Sequence, residues 1–499
     1  MKIQPPFDDN IPSINDGINE DDLLNIQNLP LDPDASKVNA KSILKGLLNQ
    51  ITRVDFKTLA EMTEAEKLNN NHLQIITTEQ ILRIAGENNW NICKNGEHVY
   101  VFNGMWWEKV DAEDLKTFFG KGAEKLGVDK FKAKSFNFRD HLYKQFLTLA
   151  HLPQKEKSSE AVLINLENGT YEVKFSGGSL NNFDQSDFLT YQLPFKYDQK
   201  ASAVLFTEFL NKVLPDIDKQ LVLAEYLAYI FIRQSALKLE KTLLLYGSGA
   251  NGKSVFFDIV NALIGSNNMS NFSLQQLTGE TGYHRAMIVN KLVNYSSEIS
   301  SKMETDMFKK LSSGEPVEAR SPYGRPYTIT QYAKMIFNCN ELPKNTENTK
   351  AFFRRFLIIH FDVTIPEGEQ DKELAKKIIS TELSGVFNWV LGGLERLLKQ
   401  KSFTSSQSAS DLLRQYEIES DSVKMFLEEN EYQVVPKAQK SFKDLFEEYR
   451  IFCVADNFKP VNKKNFKRRL LEYGNGLVID RINIGYVINL AMKSQENMF

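Results

Sequence analysis

The residues with the clearest chemistry are Gly247-Ser248-Gly249-Ala250-Asn251-Gly252-Lys253-Ser254, which match the phosphate-binding spacing G-x-x-x-x-G-K-[ST]. Glycines let the main chain wrap a phosphate closely, and consecutive N–H groups backed by a helix dipole favour the anion. Lys253 brings a point charge to the β- and γ-phosphates, and the Ser254 hydroxyl can ligate Mg²⁺. Such a loop works only between a strand and a helix N-terminus. Leu243, Leu244, Leu245 and Tyr246 form a short apolar run that reads as a buried parallel strand. Val255 to Ile264 has helical apolar spacing and ends at Gly265, a suitable C-cap. The motif predicts a nucleoside triphosphate site.

A phosphate loop alone leaves kinases, GTPases and ring ATPases open. A GTPase should carry N-K-x-D, but Asn290-Lys291 is followed by Leu292 and Val293. The order of the downstream segments suits a ring ATPase instead. Lys291 to Glu298 reads as a strand ending in a carboxylate, which would polarise the attacking water and help hold Mg²⁺. Ser297 stands where an Asp usually precedes that Glu, so direct metal ligation rests mainly on Ser254. The plainer reading of Glu298 is an exposed strand-end residue. Lys334 to Asn340 is a second strand ending in an amide, and Asn340 could orient the water or simply cap the next turn. Arg354 and Arg355 precede the strand Leu357–Phe361. Either could reach a neighbouring subunit's γ-phosphate, with Arg355 the first choice, although a double Arg taken singly is most often a surface ion pair.

Taken together, GSGANGKS, the strand to Glu298, KKLSSGEPVEARSPYGRPY, IFNCNELP, FFRRF and the upstream INLENGTYEV resemble the superfamily 3 helicases, in the phage and plasmid primase-helicase branch related to the poxvirus helicase-primase. The resemblance spans roughly residues 160 to 400, and the tail is similar to the family's winged-helix end. It implies ATP with Mg²⁺, a homo-hexameric ring, and movement on single-stranded DNA, usually 3′ to 5′. It also implies that the hairpin over 317–327 projects into the ring channel. There Arg320 and Arg325 would track phosphates and Tyr323 would stack on a base, with Lys309 and Lys310 adding charge. An ordinary basic surface hairpin is the alternative.

The 499 residues, 42% hydrophobic and 25% charged, describe a globular chain of two to four domains. No apolar run approaches the roughly 20 residues of a membrane span, and the N-terminus lacks a signal-peptide core, so a cytoplasmic protein without membrane partners is expected. Cys93, Cys339 and Cys453 lie far apart and suggest neither zinc nor disulfides. The expected fold class is multidomain α/β. Residues 1–40, with eight acids against Lys2 and Lys37, read as a flexible acidic arm. An N-terminal α+β module follows over 41–200, with hairpin signals at Asn95-Gly96, Asn103-Gly104 and Asn168-Gly169 and a loop near Gly177-Gly178. Then come a helical collar segment over 201–240, an AAA+-like P-loop ATPase core with a parallel sheet over 241–400, a Ser- and Gln-rich linker over 401–420, and a winged-helix DNA-binding domain over 421–499. Lys459, Lys463, Lys464, Lys467, Arg468 and Arg469 fall within residues 459–469, which contain no acid. Of these, Lys463, Lys464, Lys467 and Arg468 suit a recognition helix, and a merely solvated basic face is the alternative.

Priming would need paired carboxylates on a strand. Asp32/Asp34 lie in the arm, and Asp216/Asp218 more naturally cap a helix. A helicase acting on single-stranded and forked DNA, with any primase a separate partner, is therefore expected. The alternative is a DNA-binding ring ATPase that acts as an initiator or switch without processive unwinding.

Overall fold

The computed structural model describes residues 39–493 apart from 89, 97, 151–160, 175–176, 298, 300–302, 323, 344–348, 457, 474–475 and 484. Most of the acidic arm, Glu298 and Tyr323 therefore lie outside the described residues.

The chain divides into two compact units, with described residues 39–103 and 108–150 in the first and 104–107 and 161–493 in the second. The first unit carries α1 (Ala40–Gln50) and α2 (Asn70–Glu87), a meander of β1 (Ile92–Asn95), β2 (His98–Phe102) and β3 (Trp107–Val110), then α3 (Ala112–Leu126), α4 (Lys130–Lys134) and α5 (Phe136–Leu149). Asn39 and Asn69 each close a capping box at the start of α1 and α2, satisfying N–H groups the helix leaves open. Its core gathers Ile43, Leu47, Ile81, Leu115, Phe119, Leu142 and Phe146.

In the second unit β4 (Val162–Leu166), β5 (Gly169–Lys174) and β6 (Gly177–Asn181) form an antiparallel sheet. The expected module over 41–200 is thus split. Val162, Ile164 and Leu166 share a core with the helices and strands that follow and not with α1–α5. The expected loop at Gly177-Gly178 is strand β6, because Gly178 lies flat beside the Tyr171 ring, where a Cβ would come within 2.3 Å of its hydroxyl.

Next come α6 (Val204–Val213), α7 (Ile217–Tyr229), β7 (Thr242–Tyr246), α8 (Lys253–Ile264), β8 (Met269–Ser270), α9 (Leu274–Thr278), α10 (Tyr283–Met287), β9 (Val293–Ser296), α11 (Thr305–Ser313), β10 (Val317–Arg320), β11 (Pro326–Ile329), β12 (Lys334–Cys339), α12 (Lys350–Phe353) and β13 (Phe356–His360). Five of the strands form one parallel sheet in the order β13-β7-β12-β9-β8. A parallel strand covered on both faces reads as a near-continuous apolar run, and Leu243, Leu244 and Leu245 are all fully buried. Successive side chains point to opposite faces. Leu243 and Leu245 join Ile336 and Ile359 with Phe256, Ile259 and Val260 of α8, while Leu244 joins Phe337 and Ile358 with Phe308 of α11 and Phe352 of α12.

Helices α13 (Leu374–Thr381) and α14 (Leu383–Gln400) follow, and α14 packs on α7. The expected linker over 401–420 is largely a helix, α15 (Gln407–Glu419). Ser406 caps it, and buried Tyr416 packs edge-on against Phe353 and Phe356 while its hydroxyl donates to the Pro343 carbonyl at 2.6 Å. The tail contains α16 (Ser422–Glu429), β14 (Tyr432–Val434), β15 (Lys440–Ser441), α17 (Phe442–Ala455), α18 (Lys463–Tyr473), β16 (Ile479–Ile482), β17 (Gly485–Ile488) and β18 (Leu490–Met492). Three helices with a sheet ordered β15-β17-β16 make the winged-helix arrangement.

The α7–α14 crossing is close because two glycines of α14 meet different surroundings. A Cβ on Gly393 would lie 2.5 Å from the Ala224 carbonyl carbon, whereas one on Gly392 would meet only the end of Arg396, at 3.7 Å. Gly393→Ala should therefore destabilise the chain by about 1–3 kcal/mol through overpacking. Gly392→Ala should stabilise it by about 0.5–1 kcal/mol through helix propensity. Thermal unfolding of the two variants beside the wild type checks the opposite signs.

Candidate nucleotide site and DNA-facing surfaces

The phosphate-loop motif leaves the C-terminal end of β7 and enters α8. Gly249 (φ +117°), Ala250 (φ +50°) and Gly252 (φ +85°) adopt left-handed backbone, which glycine tolerates at two of the three positions without strain. Gly252 is needed for space as well. Its Cβ would come within 2.8 Å of Val213 and 2.9 Å of Phe209, so α6 backs the loop. A Cβ on Gly247 would meet the Asn251 amide at 2.2 Å and the Phe361 carbonyl at 2.6 Å.

The segment after β13 straps the loop in place. Phe361 N–H donates to the Tyr246 carbonyl (2.8 Å), Ile365 N–H to the Ala250 carbonyl (2.8 Å), and Asn251 Nδ2 to the Phe361 carbonyl (3.1 Å). On the other side Gly247 N–H donates to the Cys339 carbonyl at the end of β12 (3.1 Å). Lys253 is buried, and its ammonium donates to the Gly247 carbonyl (2.6 Å) and to Asn251 Oδ1 (3.0 Å). Burial pushes its pKa below the ordinary lysine range, opposed slightly by the nearby Cys339 thiol. Ser248 and Ser254 are exposed at the loop's outer edge.

Two further strand ends open at the same edge of the sheet. β12 lies next to β7, and β9 lies beyond β12. Ser297 follows β9 and is exposed, and Glu298, the residue after it, lies outside the described residues. Asn340 follows β12 and is exposed. One residue of the IFNCNELP segment to which the sequence assigns no role sits inside the sheet: buried Asn338 accepts the Tyr295 hydroxyl at 3.0 Å, linking β12 to β9. An amide directly after the apolar run Met335–Phe337 is the signal that could have found it.

The two arginines differ sharply. Arg354 is exposed, with its side chain 3.4 Å from the Glu240 carboxylate. Arg355 is only 7% exposed. Its guanidinium donates to the Lys309 carbonyl (3.2 Å), to Ser313 Oγ (2.9 and 3.2 Å) and to the Ala351 carbonyl. Of the two, Arg355, the first choice for a residue offered to a neighbouring subunit, is turned inward in this chain, where its donors tie α11 to α12, and Arg354 is the exposed one. A double Arg has no pattern that distinguishes an outward from an inward side chain.

The hairpin of β10 and β11 pairs Val317 with Ile329 and Arg320 with Pro326. Arg320 and Arg325 are exposed, and Arg320 Nε donates to the Gly324 carbonyl at 2.9 Å. The hairpin's mount carries no sequence signature. Arg285 of α10, 3% exposed, donates to the Glu318, Leu277 and Gly279 carbonyls, and Arg320 N–H donates to the Gly282 carbonyl. On α11, Lys310 is exposed while half-buried Lys309 pairs with Asp306 at 2.7 Å.

On α18, Lys463 and Lys464 are exposed. The Lys463 ammonium lies 5.6 Å from the Phe442 ring centre and that of half-buried Lys467 lies 4.9 Å from Tyr486. Arg468 pairs with Glu472 at 2.9 Å. Arg469 turns inward to Asp421, which also caps α16. The three cysteines are buried and free, and among the described residues there is no group of three or more His, Cys, Asp or Glu side chains that could hold a metal. Among the described residues no helix is long and apolar enough to cross a membrane.

Comparison with known proteins places two regions. A family described as D5 N terminal like matches residues 78–215, and a family of unknown function, DUF5906, matches residues 245–355. A candidate helicase of Acanthamoeba polyphaga mimivirus is 22% identical over 289 residues, covering 54% of this chain. The aligned part is 29% of that relative's length. Two structures of the NrS-1 C-terminal region are also similar, at 13% identity. One has a TM-score of 0.46, over 82% of this chain and 98% of that one; the other has 0.44, over 86% and 100%. A D5 N-terminal-like region thus precedes the sheet that bears the phosphate loop, and the viral relative named as a helicase gives this chain a likeness to the phage-type primase-helicases.

Proposed function

We propose that this chain is an ATP-driven DNA helicase of a replication system. It works as a homo-hexameric ring that moves along single-stranded DNA, 3′ to 5′, and opens forked DNA. Any primase is a separate partner. The observation that carries this reading is the order of the parallel sheet. It mounts the phosphate loop of β7 at the same edge as the ends of β12 and β9, so that phosphate-cradling, water-orienting and water-polarising groups can converge. The AAA+-like core accounts for each part. The loop N–H groups and Lys253 hold the triphosphate, Asn340 orients the attacking water and Glu298 takes its proton. Ser254, exposed in the first turn of α8, suits a Mg²⁺ ion held mostly by phosphate oxygens and water. Arg354 is the residue offered in trans. The β10–β11 hairpin grips the strand, and α18 engages duplex DNA.

The winged-helix tail favours one other reading, a DNA-binding ring ATPase that serves as initiator or switch without processive unwinding. Strand displacement on a forked duplex with and without ATP separates the two. ATP-dependent displacement is expected, and ATP hydrolysis without displacement would favour the switch.

Lys253→Ala should lower ATP hydrolysis by a factor of about 10²–10³ or more, the scale for losing one preorganised charge at a transferring group. Its melting midpoint should stay near that of the wild type, because Lys253 bonds only within its own loop. Phosphate release and thermal melting check both.

Arg354→Ala should reduce hydrolysis by about a thousandfold or more with little change in stability. Arg355→Ala should instead lose about 1–3 kcal/mol of stability, because it strands buried carbonyls. Mixing Arg354→Ala with Lys253→Ala subunits should restore part of the activity, since some interfaces then hold both intact residues. An absence of rescue in confirmed mixed rings would place Arg354 within its own subunit's site.

Exchanging Arg320 and Arg325 for Ala should abolish DNA-stimulated hydrolysis and unwinding. Exchanging Lys463, Lys464, Lys467 and Arg468 for Ala should weaken duplex binding and flatten its salt dependence, by about 0.9 in log–log slope for each phosphate no longer neutralised. Unwinding of a preloaded fork should survive the second set of changes, as a displacement assay will show.

A further inference from the structure

The corner between α4 and α5 carries two phenylalanines where water would ordinarily be met by polar groups. Phe131 is 82% and Phe136 73% exposed, the largest exposures among the exposed large apolar side chains of the first unit. Single exposed apolar residues are ordinary, but two rings this bare within six residues call for a partner. Lysines surround them: Lys130 and Lys134 are exposed and have no ion-pair partner among the described residues, and Lys132 lies over the Phe138 ring at 5.9 Å. The nearby acids are already engaged. Asp129 accepts the Lys132 N–H at 3.0 Å as a helix cap, and Asp140 is held between Lys144 at 2.8 Å and Lys116 at 3.3 Å.

The corner is also firmly built. Ala133 and Leu142 are fully buried and Phe138 nearly so, and Arg139 Nε donates to the Ala133 carbonyl at 3.2 Å. Gly120 of α3 permits the close approach: a Cβ there would lie 2.5 Å from Arg139 Nε and 3.0 Å from the Ala133 carbonyl oxygen. The rings are thus presented from a fixed base.

We propose that this corner is a binding surface for single-stranded nucleic acid, in which Phe131 and Phe136 stack on unpaired bases while Lys130 and Lys134 neutralise phosphates. Aromatic platforms set among cations are the sequence-tolerant way to hold a single strand. A duplex keeps its bases stacked on one another and offers the rings no face. A protein partner is disfavoured because lysine is depleted in the cores of protein interfaces. This surface goes beyond the proposed ATP-driven motor, since it belongs to the first unit and needs no nucleotide.

The test uses the full chain without nucleotide, titrated against a labelled oligothymidylate and a blunt duplex. Phe131→Ala with Phe136→Ala should weaken oligothymidylate binding about tenfold or more, as expected for losing base–aromatic stacking, and leave duplex binding unchanged. Trp at both positions should retain binding and Leu at both should not, which separates stacking from general apolar contact. Lys130→Ala with Lys134→Ala should shrink the salt slope by about 1.4, at roughly 0.7 per phosphate of a single strand. Oligothymidylate binding by the Ala pair at wild-type strength, or full recovery with Leu, would overturn the proposal. Lys253→Ala should bind the strand like the wild type while failing to hydrolyse ATP, so the motor assignment stands or falls separately.

Discussion

Burial of β7 on both faces is the constraint on which the second unit depends. A strand flanked by β13 and β12 and covered by α8 on one side and α11 and α12 on the other can expose its chain only at its ends. The C-terminal end is where the main chain must turn sharply into α8. Everything placed at that edge, from the glycine turns to Asn340, inherits its position from the register of the sheet. Parallel pairing makes this possible, because it brings the carboxyl ends of β7, β12 and β9 to one side. Even the strap after β13 obeys it, since β13 pairs with β7 up to His360 opposite Tyr246 and then donates through Phe361 to the Tyr246 carbonyl.

Lys253 shows how such a loop organises itself. Its ammonium is satisfied by the Gly247 carbonyl and Asn251 Oδ1, both belonging to the loop it serves. An anion therefore competes with internal acceptors for the same donor. The cost of leaving a buried ammonium unpaired is avoided, and the lysine is held close to where a phosphate would lie.

Much of this architecture is legible in the amino-acid sequence, for identifiable reasons. Continuous apolar runs mark β7 and β12, since a doubly covered strand cannot alternate. The Asn95-Gly96 pair marks a hairpin because a two-residue turn demands positive φ, and Gly96, in the turn between β1 and β2, shows it at +58°. The features that stay hidden do so for equally physical reasons. Arg354 and Arg355 are adjacent and chemically identical, and only the carbonyls around α11 decide which of them turns inward. Composition suggests a linker over 401–420, but α15 needs only one buried face, and Tyr416 with Leu412 and Leu413 supplies it among polar neighbours. The chain's division between units is hidden because the apolar residues of β4 and β5 look the same in sequence whichever core they cover. Asn338 is signalled only by its place directly after an apolar run, and Arg285 acts inside the fold through hydrogen bonds to distant segments, which no local spacing reveals.

The glycines at close approaches differ in what evolution or a designer can do about them. At position 120 a larger residue would collide first with the Arg139 side chain, and the carbonyl behind it is met only at 3.0 Å. A shorter residue at 139 could make room, so the two positions are negotiable together. At position 393 the obstacle is the main chain of Ala224 and Glu225, which every amino acid possesses. No exchange at 224 or 225 removes those atoms. In the space of viable sequences, position 120 is a conditional preference that drift can relax through a paired change. Position 393 is a fixed point for as long as α7 and α14 cross at this distance.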